Sequence, residues 1–181
     1  SQVVGPTLGQ DALVSGVIVA LIGLALVMLY LLFFYKGLGI ITAAAMGVFA
    51  VLYLGILAAL SAFHLFSLSL AGIAGIVLTI GMAVDANVLI YERIREELHL
   101  GLSPLAAVKA GFERATISIT DSNLTTIIAT VILYQFGTGP IRGFAVTLSL
   151  GIVASMFTAI FVSRAIFEYW ARKCGPKGIS I

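Results

Sequence analysis

Charged side chains are scarce in this sequence of 181 residues. They make up 10% of it, whereas soluble domains average about 25%. Hydrophobic residues account for 61% of the chain, and the mean hydropathy is +1.16. This composition excludes an ordinary soluble domain and indicates an integral membrane protein.

Cysteine and histidine are also rare, which argues against metal and redox chemistry. Cys174 is the only cysteine, so neither an internal disulfide nor a cysteine-rich metal site is expected. His64 and His99 lie in or beside predicted loops, with no second ligand at metal spacing. We therefore predict no metal site and no cofactor. A net charge of +2 is too small to predict nucleic-acid binding.

Long apolar runs account for most of the chain. A helix needs about 20 apolar residues to cross the hydrocarbon core of a bilayer. Five stretches meet this requirement, at about 12–35, 38–62, 70–91, 117–136 and 144–169. The short connections at 36–37 and 63–69 require the spans they join to run antiparallel. We predict an all-α, polytopic transmembrane helical bundle over residues 12–170.

The basic residues predict the orientation of this bundle. All of them except Arg142 fall on the side of the membrane that holds the Lys36 loop. Since cytoplasmic loops carry the excess of Lys and Arg, segment 1–11 is expected to be external and the basic tail 171–181 cytoplasmic. An external start without an initiator Met or a signal peptide favours part of a longer protein with at least one earlier span over a processed N-terminus.

Ser103 and Pro104 predict the start of a short helix between the third and fourth spans. Ser is a favoured N-cap, and Pro suits the first helical position. Leu105, Val108 and Phe112 then fall on one face. We predict a cytoplasmic interfacial helix over residues 104–113.

Glycine is frequent, with 19 residues, but no glycine-rich phosphate-binding loop accompanies it. Gly72, Gly75 and Gly81 lie on the third span, where small residues let helices approach closely. We interpret these three glycines as packing positions, and we expect no nucleotide site.

Asp85 is an acidic residue in the middle of the third span. A charged side chain at the centre of a bilayer costs about 2.5 to 3.5 kcal/mol on insertion scales, so an intramembrane carboxylate suggests a function. Removal from water favours the neutral, protonated form, as a proton carrier requires. The alternative is an Asp that only joins two helices by hydrogen bonds. Asn87 lies about 200° around the helix and must face another target.

Asp121 repeats this pattern in the fourth span, at a depth that matches Asp85 because the two helices run in opposite directions. The alternative for Asp121 is a structural role, either at the helix terminus or in hydrogen bonds between helices. Polar groups in hydrocarbon need partners, so we expect the polar side of this helix to face the third span and to place Asp121 inside the bundle. The supporting polar residues are Asn87, Ser118, Asn123, Thr125 and Thr126.

These polar residues belong to motifs that resemble the SecD family of bacterial protein export. The motifs are GMAVDANVLIYERIREE at Gly81–Glu97 and DSNLTT at Asp121–Thr126. VGPTLG at Val4–Gly9 and TGPIRGF at Thr138–Phe144 also match, so the similarity covers practically the whole chain. The resemblance implies five of the six spans of a half that pairs with SecF, in the resistance-nodulation-division superfamily. The first span and a large external domain would then precede residue 1.

The resemblance also implies a function and partners. Proteins of this family work with SecF beside the SecYEG channel of the bacterial cytoplasmic membrane, where the proton motive force assists late export of unfolded preproteins. Asp85 matches the aspartate linked to proton flow, and Asp121 and Asn123 match the polar motif on the next helix. The arginine of the relay belongs to SecF, and Ser118 stands at the counterpart position here.

Two other functions compete with this interpretation. The first is half of a small-molecule or lipid exporter of the same superfamily. The second is a membrane scaffold whose polar layer only holds subunits together. An enzyme is disfavoured, because no Ser/His, zinc-ligand or paired catalytic aspartate motif stands out in the sequence.

The charge asymmetry predicts that residue 7 is external and Cys174 cytoplasmic. In intact cells, a membrane-impermeant thiol reagent should leave Cys174 unmodified. It should modify the cysteine of Thr7→Cys made in a Cys174→Ser background. Labelling of Cys174 but not of residue 7 would show that the orientation is the opposite of the predicted one.

Overall fold

A computed structural model of the protein describes residues 6–35, 37–62 and 69–174, and these residues form helices without any strand. The connection at 63–68, with His64, and the tail from residue 175 lie outside the described residues, as does Lys36. The helices are α1 Pro6–Tyr35, α2 Gly37–Ala62, α3 Leu70–His99, α4 Pro104–Phe136, α5 Gly139–Phe157 and α6 Arg164–Cys174. A π-helical turn, Thr158–Ser163, joins α5 to α6.

Five helical segments of the described chain are long and apolar enough to cross a membrane. They are Val14–Tyr35, Gly39–Ala62, Leu70–His99, Pro104–Phe136 and Gly139–Arg172. The last segment comprises α5, the π-helical turn and most of α6. The predicted all-α architecture with five spans is confirmed.

The helices are longer than the apolar runs that predicted them. α3 continues from Tyr91 to His99 through the charged sequence, because hydropathy marks the apolar part of a helix and not its end. Ser103 and Pro104 do begin a helix, as predicted, but residues 104–113 are the first turns of α4. The prediction of a separate short helix is therefore wrong. No Gly or Pro follows Gly111 before the fourth span to interrupt the helix.

α3 lies at the centre of the bundle. It packs most extensively on α5 and α4, and also contacts α1 and α2. The side chain of Ser69 caps its start by accepting a hydrogen bond from the backbone N–H of Gly72 at 3.0 Å. A turn through Gly101, whose φ of +89° suits glycine, reverses the chain from α3 into α4. α3 and α4 are therefore antiparallel neighbours.

Small residues allow α3 to approach its neighbours closely. A Cβ atom on Gly75 would collide with Thr147 of α5, and one on Gly151 of α5 would collide with Thr79. Gly75 is thus a packing position, as predicted. The prediction for Gly81 is wrong, because nothing lies within 4 Å of the position its Cβ would take.

Aromatic rings pack together where α1, α3, α4 and α6 meet. Ring centroids lie 5.6 Å apart for Tyr35 and Tyr91, 5.3 Å for Tyr91 and Phe167, and 5.6 Å for Phe112 and Phe167. All four side chains are buried. We call this group the aromatic cluster, and it fixes one end of the bundle.

Gly111→Ala should destabilise the protein. A Cβ atom there would lie 2.8 Å from the backbone nitrogen of Ile94 and 2.9 Å from its Cα. Backbone cannot move aside easily, so the free energy of unfolding should fall by about 1 to 3 kcal/mol. Detergent unfolding of the purified protein, followed by circular dichroism, measures this change.

Gly47→Ala is the matched control. Gly47 lies inside α2 with nothing within 4 Å of a Cβ atom, so the gain in helix propensity should leave stability equal or higher by about 0.5 to 1 kcal/mol. Equal shifts for the two variants would contradict the close approach of α4 to α3.

Candidate functional site

Asp85 points away from the interior of this chain. Its neighbours Ala83, Val84, Ala86 and Asn87 are buried, whereas Asp85 is exposed. Among the described residues, no side chain forms an ion pair or a hydrogen bond with its carboxylate. The described part of the chain therefore does not enclose the Asp85 carboxylate.

Asp85 lines a groove between α3 and α4, which we call the polar groove. The groove has a volume of about 530 Å³. Its lining comprises Met82, Asp85, Ala86, Val88, Leu89, Glu92, Ile119, Ser122, Asn123 and Thr126. The residues from α3 follow a spacing of three and four, which places them on one helix face. The polar groove therefore brings Asp85 together with Asn123 and Thr126 of the predicted polar network.

A second groove, between α1 and α3, also reaches Asp85. Its volume is about 370 Å³. Apart from Asp85, its lining is apolar: Val19, Gly23, Leu24, Val27, Val77, Ile80, Gly81 and Val84. We call this second space the apolar groove. Asp85 thus lies at the junction of a polar and an apolar surface.

Asn87 faces the opposite direction, as its angular offset from Asp85 predicted. It is buried, and its amide nitrogen donates to the backbone oxygen of Ala83 at 2.9 Å. Ser163 of the π-helical turn donates to its amide oxygen at 2.8 Å. Asn87 therefore joins α3 to the last span and does not contribute to the polar groove.

Asp121 does not lie inside the bundle, and this prediction is wrong. α4 does pack on α3, but its buried positions include Phe112, Ala115, Ile119 and Asn123. Asp121 lies about 200° from Asn123 around the helix and is exposed. Ser118 and Thr125 share the side of α4 that carries Asp121, so they also lie apart from the polar groove.

The reason for this error is that α4 satisfies most of its own hydroxyl groups. Thr120 donates to the backbone oxygen of Thr116 at 2.7 Å, and Thr125 donates to that of Asp121 at 3.1 Å. Ser122 and Thr126 also donate to backbone oxygens within the helix. A hydroxyl bonded to its own helix needs no partner on a neighbouring helix. Polarity alone therefore did not determine which side of α4 faces inward.

Glu92 is a candidate site residue that the sequence pattern did not single out. It lines the polar groove seven residues after Asp85. The hydroxyl group of Tyr35, on α1, donates to its carboxylate at 2.5 Å, and Arg95 lies 3.8 Å away. A spacing of seven residues, which returns to the same helix face after two turns, is the signal that could have identified it.

Beyond Glu92, charged side chains join the ends of α3 and α4. Glu97 is buried and forms an ion pair with Arg114 at 2.9 Å.

Within the described part of the chain, no three His, Cys, Asp or Glu side chains come together as ligands for a metal ion. The ionisable groups that could act within the polar groove are Asp85 and Glu92.

These features define a class: a multi-pass helical membrane protein whose central span carries an acidic side chain between two grooves. Residues 1–173 match the family described as "Protein export membrane protein SecD/SecF, C-terminal". The chain belongs to this family, which confirms the resemblance seen in its motifs.

Two similar proteins support this assignment. The chain is 55% identical over 180 residues to the protein translocase subunit SecD of Syntrophobacter fumaroxidans, a match that covers 99% of this chain and 33% of that protein. It is 54% identical to the SecD subunit of Magnetococcus marinus, with coverage of 99% and 34%. The chain thus spans about a third of the length of these relatives.

A solved structure shares the fold. The crystal structure of SecDF, a translocon-associated membrane protein from Thermus thermophilus, matches with a TM-score of 0.88 and 44% sequence identity. The match covers 93% of this chain and 23% of that one. The arrangement of spans described above is therefore that of a SecD/SecF membrane region.

Ser163→Ala should destabilise the bundle by removing the hydrogen bond between the π-helical turn and α3. The buried amide oxygen of Asn87 would lose its donor, which costs about 1 to 3 kcal/mol. Ser155→Ala is the matched control, because Ser155 is also buried but donates to Ile152 of its own helix. Unfolding of both variants in detergent measures the difference. Equal losses would show that the contact between Ser163 and Asn87 is dispensable.

Proposed function

We propose that this chain is the membrane part of a proton-driven accessory subunit of the Sec preprotein translocation machinery. In this function the proton motive force assists the late export of unfolded proteins. The observation that carries the proposal is the position of Asp85, an acid in the central span that opens into two grooves without a partner in the described chain. Membership of the SecD/SecF family supports it.

Protonation of Asp85 would change the packing around α3. A neutral carboxyl group tolerates an apolar surrounding that a carboxylate does not, so each state favours a different arrangement of the two grooves. α3 packs on α1, α2, α4 and α5, and its Tyr91 contacts Phe167 of α6. A shift of this helix would therefore move the bundle. Moving one charge through 100 mV supplies about 2.3 kcal/mol, enough to bias such an equilibrium.

The exposed polar side of α4 supports a partner within the membrane. Asp121 is exposed there, and Ser118 and Thr125 share its side. Lipid tails do not solvate a carboxylate, so another protein surface or water is expected to cover this side. We propose SecF as the covering partner, the SecYEG channel as the neighbour, and an unfolded preprotein as the substrate.

The proposed location is the bacterial cytoplasmic membrane. The chain is a multi-pass membrane protein, as its SecD relatives and five apolar helices indicate. The distribution of basic residues supports an external start and a cytoplasmic end. In this orientation the aromatic cluster, with Glu92 and Glu97, lies towards the cytoplasm.

Asp85→Asn should abolish the stimulation of export by a proton gradient while leaving assembly with SecF intact. Asn nearly preserves the size and hydrogen bonding of Asp but cannot titrate. The assay measures preprotein release from vesicles that contain the full-length protein and SecF, with and without the gradient. Asp85→Glu should retain part of the response, since it can still bind a proton.

Glu113→Gln is the control, because it removes an exposed carboxylate of α4 that lies outside both grooves. It should respond to the gradient as the wild type does. A full response in Asp85→Asn would favour a scaffold, whose polar layer needs hydrogen bonds but no titration.

A further inference from the structure

The polar groove changes character along its length. At the level of Asp85, α4 contributes Ser122 and Asn123. Towards Glu92, the lining consists of Val88 and Leu89 from α3 and Ile119 from α4. We call these three residues the apolar section. It separates Asp85 from the second acidic residue of the same groove.

Asp85 and Glu92 are too far apart to exchange a proton directly. Seven residues along a helix span about 10.5 Å, and a direct hydrogen bond needs a separation below about 3.2 Å. The groove has room for the difference, since its volume of about 530 Å³ greatly exceeds the share of about 30 Å³ that one water takes in the liquid. Water that enters the apolar section would connect the two acids.

Glu92 is held in position at its end of the groove. The hydroxyl group of Tyr35 donates to it, and Tyr35 itself packs on Tyr91 in the aromatic cluster. Arg95 is the nearby cation, 3.8 Å from the Glu92 carboxylate. The next carboxylates on α3 have other partners: Glu96 pairs with Arg93, and Glu97 with Arg114 of α4.

We infer that Glu92 is the group that exchanges protons with Asp85 at the cytoplasmic end of the polar groove. The apolar section acts as a gate between them, because an apolar stretch conducts protons only while water fills it. The proton leaves the Asp85 carboxyl, passes along this water and binds the Glu92 carboxylate, which releases it to the cytoplasm. Tyr35 is a positioning residue for Glu92. This inference depends on the function proposed above.

Glu92→Gln tests the inference in vesicles that contain the full-length protein and SecF. The rate of gradient-driven preprotein release should fall by roughly 100-fold, the lower range for a positioned proton-transfer group. Its dependence on the pH of the cytoplasmic side should flatten, which a merely structural role would not cause. Glu92→Asp should restore part of the rate. Tyr35→Phe should alter the pH profile while retaining more of the rate than Glu92→Gln.

Glu96→Gln is the matched control, since Glu96 lies on the same helix end but outside the groove. It should behave as the wild type. Ile119→Ser should hydrate the apolar section and let protons leak through without preprotein, an increase visible with a pH-sensitive dye. Absence of this leak would overturn the proposal that the apolar section acts as a gate.

The two proposals fail in different ways. A full gradient response in Asp85→Asn would overturn the proposed role of Asp85 as the proton carrier. If Asp85→Asn is inactive while Glu92→Gln keeps the wild-type rate and pH profile, the function stands and Glu92 is not the exchanging group. Assembly with SecF is measured for each variant, and partial rescue by Glu92→Asp distinguishes lost chemistry from lost folding.

Discussion

The close approach of α3 to α4 and α5 is the constraint on which the rest of the structure depends. Gly75 and Gly151 leave space for Thr147 and Thr79 between α3 and α5, and Gly111 leaves space for Ile94 between α4 and α3. Lipid is as apolar as the helix surfaces, so packing of small residues, rather than hydrophobic burial, holds such helices together. These contacts fix the rotation of α3 about its axis. That rotation places Asn87 inside the bundle and turns Asp85 towards the two grooves.

Polar groups in the bundle are satisfied in three different ways. Hydroxyl groups of α4 bond to their own backbone. Asn87 and Ser163 bond across helices in the interior. Asp85 and Asp121 have no such partner among the described residues and are exposed, so they depend on water or on another protein surface. These two carboxylates are thus left available by the described part of the chain.

Predictions failed where local patterns do not report what surrounds a helix or where it ends. The polarity around Asp121 suggested an inward face, but packing of Ile119 and Asn123 turned Asp121 outward. Ser103 and Pro104 correctly marked a helix start, yet the helix continues into the fourth span. Glu92 belongs to a charged run in the sequence, and only the groove shows that it shares a surface with Asp85.

The sequence by itself determined the membrane class, the five spans, the family and the opposed directions of Asp85 and Asn87. Each follows from local quantities, namely apolar length, motif order and helical periodicity. Tertiary structure alone decided which side of α4 faces α3, the pairing of Asn87 with Ser163, and the contact of Tyr35 with Glu92. The physical reason is that these contacts join residues far apart in the chain, and side-chain shape at the helix interfaces selects among rotations that hydropathy treats as equal.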